Sequence, residues 1–156
     1  MTDTNDHANV VMSPPLAWAS AFAAGLVFEW IYPTSFVPIS ISPIWVGSGV
    51  FAVGFALAIW AVVTVRRAGT RIEANKPTTA IVENGPYRFT RNPIYIGMFL
   101  GQAGLAIGFD SLWILATLVP FYLVIRYGVI AREEVYLYSK FGDVYHAYKF
   151  GVRRWL

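Results

Sequence analysis

The chain has no cysteine and only two histidines among its 156 residues. Without thiols it forms no disulfide, no thiolate metal site and no cysteine nucleophile. With His7 in the N-terminal tail and His146 near the other end, a histidine metal centre is not expected either. Charge is scarce as well. Asp, Glu, Lys and Arg make up 13% of the residues, 56% are hydrophobic, and the mean hydropathy is +0.51. That balance lies outside the range of soluble domains. Positive charge is missing altogether before Arg66. The chain thus lacks the basic n-region of a secretory signal peptide, and none is expected.

What is present is apolar sequence in four stretches: Leu16–Tyr32, Ile44–Val65, Ile94–Phe109 and Leu112–Ile130. A membrane-spanning helix needs about 20 apolar residues and at least roughly 17. The second and fourth stretches meet this readily. The first carries Glu29, and the third is short, with part of it expected inside the protein. The reading is an all-α membrane protein of four transmembrane helices, a single domain over residues 1–156. Residues 1–15, including Asp3 and Asp6, read as a loose polar tail. Gly97, Gly101, Gly104 and Gly108 recur at helical spacing on one face, which suits close helix packing or the approach of a ligand to the backbone at Gly97. Pro120 is expected to kink the fourth span.

The charges set the orientation. All 12 Lys and Arg residues fall between Arg66 and Arg91 or between Arg126 and Arg154. With four spans both segments lie on one side, which the positive-inside rule makes cytoplasmic. The protein is accordingly placed in the cell or inner membrane, with its basic loop and C-terminus inside. The net charge of +3 is this topological signal and points to no nucleic-acid partner.

The basic loop ends in Asn84-Gly85-Pro86-Tyr87-Arg88-Phe89-Thr90-Arg91-Asn92-Pro93-Ile94-Tyr95-Ile96-Gly97. Asn92 is a good N-cap and Pro93 suits the first helical position. Two arginines beside a helix start form an anion site at the membrane surface. Downstream, Glu133-Glu134 can hold a cation. The helix 131–141 stops at Gly142-Asp143, and a short helix, Val144–Phe150, follows it. Tyr136, Tyr138, Tyr145, Tyr148 and Trp155 make this end aromatic, as an interfacial belt or as pocket walls. Arg126, near the inner end of the fourth span, either snorkels to the interface or pairs with a substrate.

Gly85-Pro86-Tyr87-Arg88, Arg91-Asn92-Pro93-x-Tyr95-x-Gly97, Glu133-Glu134, Phe141-Gly142-x-x-Tyr145-x-x-Tyr148 and Arg153, in this order, resemble the C-terminal half of isoprenylcysteine carboxyl methyltransferases and related phospholipid methyltransferases. The resemblance covers residues 66–156. It implies S-adenosyl-L-methionine as cofactor, in a pocket at the cytosolic ends of the last membrane helices, closed by the C-terminal helical segment. The residues expected to bind it are Tyr87, Arg88, Arg91, Asn92, Tyr95, Gly97, Glu134, Tyr145 and Tyr148. Arg126, Arg132 and Glu133 are assigned to catalysis. Asn92 stands where the family prototype has histidine. It caps a helix and hydrogen-bonds, but cannot titrate as imidazole does.

The resemblance implies a lipid-like or small hydrophobic acceptor that enters from the bilayer. A prenylated cysteine carboxylate, a phospholipid amine and a small thiol all remain open. The reading of another class is a non-catalytic membrane protein that binds anionic lipid through its basic loop. Glu133-Glu134 argues against it. A transporter is disfavoured because four spans without a repeat offer no alternating-access pair.

Overall fold

The computed structural model describes residues 7–38, 40–71 and 76–156, so Asp3 and Asp6 lie outside the described residues. The described residues are helical, with no strand among them. Helix α1 is Pro14–Ile31, α2 Pro43–Arg67 and α3 Pro93–Gly108. A broken helix follows as α4 Leu112–Ala116, α5 Leu118–Leu123 and a π-wound stretch, Val124–Ile130. It runs on into α6, Ala131–Phe141, and α7 is Asp143–Gly151.

Two helices are long and apolar enough to cross a membrane: Pro43–Arg67 and the continuous stretch Leu112–Phe141. At 1.5 Å per residue, α3 reaches about 24 Å, short of a hydrocarbon layer of about 30 Å. Helix α1 begins with two prolines and carries Glu29, which lowers its hydropathy. The described residues thus support two crossings by length and composition, fewer than the four read from the sequence.

Helices α2 and α3 pack closely because glycine faces glycine. A Cβ on Gly97 would lie 2.6 Å from the Gly54 carbonyl oxygen, and one on Gly104 would lie 2.5 Å from the Phe51 amide. Such backbone contact suits an apolar medium, where small residues let helices approach. Pro120 cannot donate to the Ala116 carbonyl, and α4 ends there, with α5 resuming at Leu118. Gln102 of α3 is fully buried at this break. Its Nε2 donates to Thr117 Oγ1 at 2.9 Å, and that hydroxyl donates to the Ile114 carbonyl at 2.8 Å.

The end of the bundle away from the basic segments is tied by two carboxylates. Glu29 accepts from the Thr34 amide and hydroxyl and from Ser111 Oγ, at 2.7, 2.9 and 2.6 Å. Asp110 accepts from the Phe36 and Val37 amides, both at 2.8 Å. An acidic residue in the first apolar stretch is thereby accounted for as a loop anchor. The N-terminal segment differs from the loose tail read from sequence. Val10 and Met12 pack on the core made by Ala17, Tyr95, Phe121, Ile125, Val129 and Ile130. Apolar residues at every second position explain why this short stretch stays against the bundle.

Candidate functional site

At the Arg67 end of α2, an open cleft lies between the start of α3, α6 and α7. Each wall follows from local sequence. Pro93 opens α3, as expected, so Arg91 and Asn92 sit at the cleft edge, and Tyr95 lies one turn in. On α6, Glu133, Tyr136 and Leu137 share one face at helical spacing and line the cleft. Gly142, with φ +50°, turns the chain into α7. There Tyr145 and Tyr148, both buried and three residues apart, face inward.

The two glutamates have different surroundings, because neighbours on a helix point about 100° apart. Glu134 is 14% exposed and is gripped by two arginines. Arg154 donates Nε to Oε1 and Nη2 to Oε2, both at 2.8 Å, and Arg91 donates Nη1 to Oε1 at 3.0 Å. Burial alone would raise its pKa. The hydrogen bond from Arg154 and the charges of Arg91, Arg154 and Lys149 outweigh that and hold it below the usual carboxylate value. Glu133 lines the cleft, and both of its oxygens accept from the Tyr95 hydroxyl, at 2.9 and 3.0 Å. Burial pushes its carboxyl up to about 7, against the hydrogen bond from Tyr95 and helped by the nearby Glu134 charge.

Arg91 side-chain atoms are 9% exposed. Its Nη1 also donates to Tyr145 Oη at 3.3 Å, while its Nε is buried with no partner. Two guanidiniums against one carboxylate leave the cluster with one net positive charge. An unmatched donor beside it is what an anionic ligand group would satisfy. Burial raises the pKa of the Tyr87, Tyr145 and Tyr148 phenols, so they remain protonated donors. Tyr148 gives its hydroxyl hydrogen to the Tyr87 carbonyl at 2.9 Å.

The C-terminal segment is stitched across the α3 start. The Arg91 amide donates to the Arg153 carbonyl at 2.9 Å, and Thr90 Oγ1 and Asn92 Nδ2 donate to the Arg154 carbonyl at 3.1 and 2.9 Å. Asn92 thus flanks the helix start without a side-chain cap bond, its amide being used to hold the C-terminus. Trp155 meets the Phe99 ring edge-on and lies tilted against Tyr122.

Of the residues singled out from sequence, Tyr87, Arg91, Asn92, Tyr95, Glu133, Tyr145 and Tyr148 line the cleft. Glu134 sits behind it, holding Arg91. Four lie elsewhere. The space next to Gly97 is filled by Gly54 and Ala58, so this glycine serves helix packing. Arg88 is exposed, Arg126 lies 5.1 Å over the Tyr127 ring, and Arg132 donates to the Asn9 carbonyl. None of the four lines the cleft. Sequence reasoning missed Arg154, favouring its neighbour Arg153, and missed Ala8, Thr70, Arg71 and Thr78 as wall residues. Tyr136 was among the aromatics read as belt or pocket wall, and Leu137 was not singled out, although its spacing of four from Glu133 on a helix carries the signal. The loop residues left no such signal.

The sequence model of the phospholipid methyltransferase family matches residues 42–144. The chain belongs to that family. The family is described as one of phospholipid methyltransferases, and two helices among the described residues are long and apolar enough to cross a membrane. The chain is also similar to an uncharacterized protein of Haemophilus influenzae (strain Rd), 63% identical over 38 residues. That match covers 24% of this chain and 60% of the relative's length.

Proposed function

We propose that the family member described here moves a methyl group from S-adenosyl-L-methionine to a lipid-like or small hydrophobic acceptor that enters from the bilayer. The observation that carries this reading is that Arg91, part of a cluster of net positive charge and with its buried Nε unpartnered, lines the same cleft as the Glu133 carboxylate. S-Adenosylmethionine bears a carboxylate and an ammonium on one carbon, and a cleft with one unmatched cationic donor and one carboxylate suits both. Arg91, steadied by Glu134, would take the carboxylate, and Glu133 the ammonium. Tyr87, Tyr145 and Tyr148 offer ring surface for the adenine.

When bound, the cofactor supplies an electrophilic methyl group on a sulfonium. The chain's part is to hold donor and acceptor in line and to exclude water. For an amine or thiol acceptor, a proton must leave as the new bond forms. Glu133, with its carboxyl near neutrality and Tyr95 hydrogen-bonded to both oxygens, is suited to receive it. A carboxylate acceptor would release no proton and would meet Glu133 as a like charge when ionised.

The α1 and α3 segments are part of this reading as further membrane-inserted helices, with the cleft, the basic loop and the C-terminus on the cytoplasmic side. Isothermal titration of the purified protein in detergent tests the cofactor. Micromolar binding of S-adenosylhomocysteine, abolished by Arg91→Ala, is expected. No heat at millimolar ligand in the unaltered chain would sink the reading.

A further inference from the structure

The segment before α1 is part of the cleft. Ala8 is 3% exposed and lines it, while Val10 and Met12 rest on the core that holds Tyr95 and Ile130. Two hydrogen bonds fasten the segment to the helix opposite. The Val11 amide donates to the Gly128 carbonyl at 3.1 Å, in the π-wound stretch, and the Val11 side chain lies against Gly128. Arg132 Nη1 donates to the Asn9 carbonyl at 2.6 Å.

The helix places this fastening relative to the ionic cluster. Arg132 and Glu134 are two residues apart on α6, about 200° around its axis. The N-terminal segment and the Glu134–arginine cluster therefore lie on opposite flanks of α6, and Glu133 faces the cleft between them. We propose that residues 7–12 are a latched strap forming the acceptor-side wall of the cleft, and that Arg132 is the positioning residue that keeps it shut. The choice of side rests on the reading that the cofactor's carboxylate lies with Arg91. The strap itself rests only on the contacts above.

A lipid-like acceptor needs a wall that parts towards the bilayer. The strap is suited to this: it precedes Pro14, so it can swing out without unwinding a helix. One of its two fastenings uses an exposed arginine on a carbonyl, a bond that water can replace. Arg132 thereby acquires a role that does not require it to touch the reacting groups.

The absence of cysteine allows a direct test, because Ala8→Cys introduces a single reporter. Its labelling by N-ethylmaleimide in detergent is expected to be slow in the otherwise unaltered chain. Adding Arg132→Ala should speed it at least tenfold. Arg132→Lys, which keeps a charged donor, should bring the rate back to within about threefold. A second reporter, Ala61→Cys at a fully buried position in the last third of α2, should stay unlabelled in all backgrounds. S-Adenosylhomocysteine affinity of Arg132→Ala should stay within threefold of the unaltered protein. Equal Ala8→Cys rates in all three backgrounds would overturn the latch, as would parallel acceleration at Ala61→Cys. A tenfold loss of S-adenosylhomocysteine affinity in Arg132→Ala would overturn the assignment to the acceptor side. If the unaltered chain binds no S-adenosylhomocysteine while the labelling pattern holds, the methyltransferase reading of the cleft and the choice of side both fall, and the strap stands.

Discussion

Replacing Glu133 by glutamine should stabilise the protein, and only above mildly acidic pH. The apolar stretch that leads to it ends at Ile130, so in the proposed membrane placement Glu133 follows the apolar segment, on the cytoplasmic side. There its carboxyl is raised from 4.5 to about 7, chiefly by burial. A raised carboxyl means that the folded chain holds its proton more tightly than the unfolded chain. Folding stability is then highest below about 4.5, falls as pH rises towards 7, and is level above. A difference of that size corresponds to roughly 3 kcal/mol. Glutamine is neutral at every pH and can still accept from Tyr95, so it avoids this loss. Glu133→Gln should therefore unfold together with the unaltered protein near pH 4.5. By pH 8 it should be the more stable of the two by about 2–3 kcal/mol, or several degrees in a domain of this size. Differential scanning fluorimetry in detergent at half-unit pH steps reads this directly. A difference between the two proteins that does not change between pH 4.5 and 8 would refute the claim that Glu133 titrates near neutrality. A pH-dependent gain in stability accompanied by loss of methyl transfer would mark the strained carboxylate as functional.

Glu134→Gln should do the opposite. It leaves Arg91 and Arg154 facing each other without a carboxylate, so stability should fall by about 2–4 kcal/mol. S-Adenosylhomocysteine affinity should fall roughly 10- to 150-fold, the equivalent of about 1.5–3 kcal/mol for one charged hydrogen bond. Unchanged melting and unchanged affinity would remove this carboxylate from the site. In the bundle, Gly97→Ala places a methyl 2.6 Å from the Gly54 carbonyl oxygen, whereas a Cβ at Gly101 meets only the Phe51 ring at 3.9 Å. Thermal unfolding should show a loss of about 1–3 kcal/mol for the first and little for the second. Equal effects would contradict the close α2–α3 contact.

The sequence made the helix start at Pro93, the break near Pro120 and the reversal at Gly142 legible, because proline and glycine act on backbone within a few residues. It also brought the tyrosines of α7 and the α3 start to one site through their spacing and the family resemblance. The roles of Arg132 and Arg154 were not legible. Both depend on contacts with segments distant in sequence, Asn9 in one case and Glu134 in the other. Gly97 illustrates the same limit. Helical spacing placed it on a face with three other glycines, but only the position of α2 shows that Gly54 and Ala58 occupy the space a ligand would need. The N-terminal segment read as loose because its composition is polar overall. Its alternation of Ala8, Val10 and Met12 was too short to register as a pattern.

Two adjacent glutamates thus acquire opposite character from one turn of geometry. Residues 100° apart on a helix cannot face the same neighbours. Glu134 turns to the arginines and stays ionised, while Glu133 turns to Tyr95 and the cleft and is held near neutrality. Environments that push two carboxyl groups apart in this way assign them different work. The ionised one fixes a cationic donor in place, and the other can carry or release a proton near physiological pH. The Asn92 position fits the same division. An amide there ties down the Arg154 carbonyl without adding a second titrating group beside Glu134, which suits the proposal that a proton released in the cleft goes to Glu133.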